Sequence, residues 1–403
     1  MSKFSIIKYP DLTKLYRWPY TDKDNPNTVI EPTTRCNLSC PGCYRVSKLA
    51  YDTDRDMSLE EMKVYIDDVV KLRNTSCISF LGGEPLLHSQ LNDAIAYVKQ
   101  AGLNVGVYSN GLLMDEQKLA EFRDLGVSYV FLHVDKHQGR GDTEEQINKI
   151  REHFCDMFRR VGRVLLGFSF QFTEKDIRDV QNMCDFFASN SDIVKLLNFS
   201  LCTDAQEYEK AFSCGCNRNN GIEEIEEIKV LKHEAQKRMC KAIKEAFGLE
   251  WSSYLGSKYD DTVPGKLHTM CAYHGGKFLG SGDSATARKY VERFRRVRGN
   301  YPYNGSIPLK RRLADYMHMF VNRSARNIRL NLLKQYALTI KWQSVAISLS
   351  PFQQKEGVNF CESCTDAVLY KGKFVPMCGL EDLIKSDTRH CSGGHASPCT
   401  AKP

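Results

Sequence analysis

From residue 28 to about 202, short runs rich in apolar and β-branched residues alternate with longer stretches in which apolar residues recur every three or four positions. The first pattern predicts buried strands and the second amphipathic helices. Strands are expected at 28–31, 77–81, 105–108, 129–133, 164–170 and 196–201. Helices are expected at 58–73, 89–101, 115–125, 143–160 and 174–189, with a long charged one at 222–247. Ser58 followed by Glu61 reads as a capping box. Alternation of this kind builds a parallel sheet through right-handed crossovers. Six such units predict an α/β fold, a partial (β/α)6 TIM-type barrel, whose reactive residues belong at the carboxyl ends of the strands.

Beyond residue 250 the pattern changes. Residues 251–284 shift to Gly, Ser, Tyr and His and read as short strands and turns. Residues 309–342 read as helical and amphipathic. The domain reading is an N-terminal extension (1–27), the barrel (28–250), the start of an auxiliary region (251–287), a basic helical segment (288–345) and a C-terminal cysteine-rich extension (346–403).

Charge sharpens that division. The 403-residue chain carries a formal charge of +7. Between Arg288 and Lys341, fourteen Lys and Arg residues face only two acids, Glu292 and Asp315, with large aromatics interleaved. A solvated helical face is the usual meaning of a charge run. An excess this large also suggests an anionic partner: a small molecule, a lipid-linked substrate, a membrane surface or, as the weaker candidate, a nucleic acid. No run of about 18 apolar residues occurs, so no membrane-spanning helix is expected. The start of the chain lacks the apolar core of a secretory signal. Sixteen cysteines without an export signal point to metal ligation in a reducing cytoplasm, with peripheral membrane contact left open.

The candidate chemistry sits at the strand ends. After the first strand, Cys36, Cys40 and Cys43 form a C-x3-C-x2-C run. Three thiolates on one tight loop can hold three irons of a [4Fe-4S] cluster and leave the fourth open. A zinc loop is the alternative, although zinc sites come mostly as paired C-x2-C units. After the second strand stands Gly82-Gly83-Glu84-Pro85. Its glycines allow close backbone approach to a ligand, and its carboxylate can accept from an ammonium group. Ser109, Asn110 and Gly111 follow the third strand, as ribose contacts or as an ordinary turn. His133 and Asp135 end the fourth strand on one face, as a catalytic or substrate-contacting pair. Ser169 and Gln171 share a face of the fifth. Cys77, Cys155, Cys184, Cys202, Cys214, Cys216 and Cys240 read as small buried hydrophobes. Cys361, Cys364 and Cys378 form a second group, in which a hairpin turning at Lys371-Gly372-Lys373 returns Cys378 towards the C-x2-C. A zinc ribbon is the competing reading there.

The first cysteine loop, with GGEP and SNG at the two following strand ends, resembles that of radical S-adenosylmethionine (SAM) enzymes over residues 28 to about 202. The resemblance implies that SAM chelates the open iron through its amino and carboxylate groups, with GGEP holding the amino group and Ser109 and Asn110 near the ribose. Tyr44, Ser169 and Gln171 fall with the cofactor-binding residues. The implied chemistry is reductive cleavage of SAM to methionine and a 5′-deoxyadenosyl radical, which removes hydrogen from an unactivated C–H bond. It also implies a reductant such as flavodoxin or ferredoxin. The second group resembles the auxiliary-cluster regions of SPASM and twitch type. It lacks the full seven-cysteine pattern, so one second Fe-S cluster is expected, with Cys271, Cys391, Cys399 or a substrate atom as fourth ligand. The substrate class favoured is an anionic small or lipid-linked molecule. RNA or peptide modification and a non-catalytic iron–sulfur or zinc binding role are the rivals.

Overall fold

A computed structural model describes residues 7–40, 43, 55–202, 222–303, 339–354, 357–380 and 383–384. Seven α-helices are described: α1 (Leu59–Leu72), α2 (Leu91–Gln100), α3 (Glu116–Asp124), α4 (Glu144–Val161), α5 (Val180–Ser189), α6 (Ile222–Phe247) and α7 (Ser284–Arg298). The capping box of α1 forms as the sequence predicts, Ser58 and Glu61 each satisfying the other's backbone N–H. Predicted residues 174–189 split into a 3-10 turn, Glu174–Asp179, and α5.

The parallel strands are β2 (Asn27–Ile30), β3 (Cys77–Phe80), β4 (Asn104–Ser109), β5 (Tyr129–His133), β6 (Leu165–Phe172) and β7 (Val194–Leu201), each pairing with the next. They form the partial barrel. Phe168, Phe170, Phe172, Phe187 and Phe199 are buried between its outer face and the helices. Burial of each such ring stabilises the fold by roughly 1.5–3 kcal/mol.

The sheet does not stop at β7. The later strands are β8 (Ser253–Gly256), β9 (Pro264–His274), β10 (Lys277–Ser281), β11 (Lys341–Leu349), β14 (Ala367–Tyr370) and β15 (Lys373–Pro376); β1 is Tyr16–Arg17, and β12 (Phe352–Gln354) with β13 (Gly357–Asn359) makes a separate ribbon. The sheet order is β1-β8-β9-β11-β7-β6-β5-β4-β3-β2-β14-β15, with β10 on β9. β11 runs parallel to β7 in register Ala346 with Asn198, and β14 runs parallel to β2. Bonds from Lys258 N to Phe360 O (2.9 Å) and from Glu362 N to Gly256 O (2.8 Å) then tie the end of β8 to the chain entering β14. Arg17 pairs with Glu362 across the same seam. Strands β8, β9, β11 and β14 are therefore part of the same sheet as the barrel strands.

Lys341 and Trp342, predicted at the end of a helix, begin β11 instead. The alternation of Gln343, Val345 and Ile347 (buried) with Ser344, Ala346 and Ser348 has the strand period of two. Thr339 and Ile340 are not helical either, and residues 309–338 of the predicted helix lie outside the described residues. No described helix is long and apolar enough to cross a membrane.

Candidate active site

The loop that carries the first cysteines is fixed to the end of β3 by backbone. Gly83 N donates to Thr33 O (3.0 Å) and Glu84 N to Arg35 O (2.7 Å). A Cβ on Gly83 would sit 1.9 Å from Arg35 O, and one on Gly82, at φ +123°, 2.8 Å from Thr33 O. The close approach that these glycines permit is thus to the cysteine loop's own backbone. Arg35 binds Asp56 through Nε (3.0 Å) and Nη2 (2.6 Å), and Thr33 Oγ1 donates to the same carboxylate (2.6 Å). Cys36, Cys40 and Cys43 emerge half-buried, with Cys43 N donating to Cys40 O (3.3 Å).

Burial pushes the Cys40 thiol up to about 12, and the neighbouring Cys43, Asp135 and Cys36 push the same way; only the Gln138 amide opposes them. Without a cation, Cys40 stays a neutral thiol. Bound iron would draw it to the thiolate that ligates. The Gln138 amide has buried N and O atoms with no well-formed protein partner. Three neighbouring thiols, with a buried polar group spare beside them, fit an iron–sulfur cluster.

Glu84 is buried where the ends of β3 and β4 meet. Its carboxylate is 1% exposed and accepts from Ser109 Oγ (2.8 Å), Asn110 N (2.7 Å) and Leu86 N (3.1 Å). Burial raises its pKa against those three bonds. The carboxylate ties the ends of β3 and β4 together, and Pro85 opens the 3-10 turn that follows. Asn110 reaches back to the cysteine loop, Nδ2 to Asn37 Oδ1 at 2.7 Å, while its backbone O accepts from Arg140 Nη1 (2.7 Å). Ser109 and Asn110 are both buried.

His133 and Asp135 do meet, Nε2 to Oδ2 at 2.6 Å. Asp135 also accepts from Gln171 N (2.8 Å) and His137 N (3.0 Å). Burial alone would raise its pKa, but His133, the Gln171 N–H and His137 outweigh it and hold the carboxyl below the usual range. His137 in turn binds Asp176 (3.1 Å), which Lys136 also pairs (3.1 Å). Register sets His133 beside Ser169, Ser169 beside Asn198 and Gln171 beside Ser200, so these side chains share the inner face of the barrel. β11 and β9 continue that face. Ser348 Oγ donates to Asn198 Oδ1 (2.9 Å), and His268 Nε2 lies 2.9 Å from Ser344 Oγ. Burial, then Lys266, pushes His268 down to about 4, a neutral imidazole at physiological pH. Lys266 Nζ holds Asp366 at 2.9 Å.

The sequence reading missed Asn198, Lys266, His268, Ser344 and Ser348, because nothing in the local pattern joined residues 264–274 and 341–349 to the barrel. Gln138 and Arg140 stood in the run FLHVDKHQGRGD, and a search of it for polar groups beyond the strand would have found them. Tyr44, Cys214, Cys216, Cys391 and Cys399 lie outside the described residues.

The second cysteine group converges at the other end of β2. The β14–β15 hairpin returns Cys378 to where it feels the charge of Cys364, and the Cys364 thiol shares a hydrogen bond with Cys361. Asn25 Nδ2 donates to Ser363 O (2.8 Å) and Asn27 Nδ2 to Thr365 O (2.9 Å), which seats the loop below β2. Cys271 is not with them. It points to the outer face of β9, fully buried beside Cys184 of α5, because Lys266, His268 and Met270 take the inner alternation. Five residues of strand, about 17 Å, also separate it from Lys266. Among the described residues no three His, Cys, Asp or Glu side chains form a cage for a single metal ion. A cube-shaped cluster spaces its thiolates more widely than one tetrahedral ion does.

A partial parallel barrel with a three-cysteine loop at its carboxyl end defines the class. Residues 30–187 match the model of the Radical SAM superfamily. The family uses a [4Fe-4S] cluster and SAM. The chain is 27% identical over 171 residues to Fe-coproporphyrin III synthase of Methanosarcina barkeri, covering 41% of this chain and 42% of that protein. It is 34% identical over 133 residues to the tungsten-containing aldehyde ferredoxin oxidoreductase cofactor-modifying protein of Pyrococcus furiosus, covering 30% and 37%. It thus spans less than half the length of these curated relatives. The structure of Streptococcus suis SuiB bound to precursor peptide SuiA aligns with a TM-score of 0.37 at 15% identity, over 53% of this chain and 47% of that one.

Proposed function

We propose that this chain is a radical SAM enzyme acting on a small polar molecule, anionic in part, held inside the barrel between its two cysteine groups. Cys36, Cys40 and Cys43 would hold a [4Fe-4S] cluster. When bound, that cluster supplies the electron that splits SAM into methionine and a 5′-deoxyadenosyl radical, the species that removes hydrogen from a C–H bond. The chain's own part is to position and to exclude. Gly82 and Gly83 seat the loop, Glu84 and Asn110 lock it to the strand ends, and the Asp135 carboxylate, kept ionised, is available to a cationic or hydroxyl-bearing group. Ser169, Gln171, Asn198, Ser344, Ser348 and the neutral His268 offer hydrogen bonds to substrate, and Lys266 a positive charge. Cys361, Cys364 and Cys378 would hold a second cluster below them.

The observation that carries this reading is the cysteine loop, fixed by backbone bonds to the strand ends and opening on a polar inner face. The relatives named for a porphyrin synthase and a cofactor-modifying protein support a small-molecule substrate over RNA. The test is the C36A/C40A/C43A variant, reconstituted anaerobically with iron and sulfide. It is expected to form no 5′-deoxyadenosine and to lose about four irons, with its circular dichroism unchanged. SAM cleavage at the wild-type rate in this variant would overturn the assignment.

A further inference from the structure

We infer that the outward face of α7 is the docking surface for a small acidic electron-transfer protein. The helix, SATARKYVERFRRVR, carries six cations against one carboxylate, Glu292. Arg288, Lys289, Arg293, Arg296 and Arg298 are exposed, and among the described residues the helix's one ion pair is Arg295 with Asp24. Fifteen residues give a cationic ridge about 22 Å long.

Its position gives the charge a purpose. At its carboxyl end, Asn74 Nδ2 donates to Gly299 O (2.9 Å), and Arg295 holds Asp24. The next residue, Asn25, bonds the Ser363 and Cys364 carbonyls. Near its start Arg288 lies over the Tyr16 ring, and the adjacent Arg17 pairs with Glu362, next to Cys361. The ridge therefore flanks the loop of the second cysteine group from both ends. Anionic partners of other kinds fit less well. No aromatic ring is exposed on this face for nucleic-acid bases to stack upon. Val297, 60% exposed, is its one large apolar side chain, too little for a membrane-surface helix. A small, charged, sparsely apolar patch suits the transient complexes of electron carriers.

The inference rests on the reading that Cys361, Cys364 and Cys378 hold an iron–sulfur cluster. One electron would then pass from that cluster to the partner's flavin or iron centre, the cluster oxidised by one and the partner reduced by one, with no bond made or broken.

The test titrates a small acidic ferredoxin, as probe, against the full chain by calorimetry at low and high salt. Binding is expected to weaken at least about tenfold with salt. It should weaken at least as much in K289E/R293E/R296E, with K289Q/R293Q/R296Q in between as a guard against misfolding. An unchanged Kd in both variants would overturn the inference, as would tighter binding of single-stranded RNA or phosphatidylserine vesicles through the same three residues. The cluster reading fails separately: C361A/C364A keeping all its iron overturns that reading while the α7 titration still decides docking.

Discussion

Replacing Glu84 by Gln separates two roles for the GGEP segment. The carboxylate sits 1% exposed with Ser109 Oγ and Leu86 N on Oε1 and Asn110 N on Oε2. A glutamine can keep its carbonyl oxygen on the first two, but its NH2 must then face the Asn110 N–H at a position where the native contact is 2.7 Å. One charge-assisted bond is lost, worth about 1.5–3 kcal/mol. Two buried donors are also left facing each other, at about 1–3 kcal/mol. Partial relaxation makes these overlap, so about 2–4 kcal/mol of stability should disappear. Urea denaturation of the metal-free chain, with no SAM present, measures that loss directly. SAM affinity should fall only as far as the strand ends loosen. A variant as stable as wild type but with SAM binding weakened tenfold or more would refute the reasoning, because the carboxylate would then be touching the ligand and not Asn110.

Wild-type protein should hold about eight irons after reconstitution, one [4Fe-4S] cluster per cysteine group, and C361A/C364A about four. Cys271→Ala should keep all eight, since Cys271 faces Cys184 on the outer side of β9; loss of iron in that variant would contradict its placement. His137 offers a pH readout. Its Asp176 partner, ahead of opposing burial, raises its folded pKa above the usual 6.5, so the stability it contributes is fully present below pH 6.5 and is lost as pH rises through the raised value. Wild type should lose stability relative to His137→Gln as pH rises from about 6 to 8. Parallel denaturation midpoints for the two proteins across that range would show that the pair contributes nothing.

What the sequence disclosed follows from where its signals are local. Strand β5 is found at its predicted bounds because Tyr129–His133 is a continuous apolar run closed by a polar residue. The capping box of α1 needs only Ser58 and Glu61. The cysteine loop and GGEP announce themselves by composition. The purpose of the glycines is not local: only the placement of Arg35 O against Gly83 reveals that the backbone they admit belongs to the same chain. The inner wall fails to show for a similar reason. His268 and Ser344 lie 76 residues apart in sequence and meet through an antiparallel pairing, and single-chain periodicity gives a strand's faces without naming its neighbours. Cys271 was drawn to the second group because cysteine type was visible and strand alternation across residues 264–274 was not.

The seam that joins β8 to the chain entering β14 also orders events in time. Arg17 and Glu362 are 345 residues apart, and contacts of such separation form late because the loop between them must close first. During synthesis β2 to β7, with the first cysteine loop, can assemble while residues 341–376 are still to come. The barrel then stands open along one side, and iron, sulfide or a delivery protein can reach its interior. Once β9, β11 and the β14 hairpin are in place, that side is walled by protein.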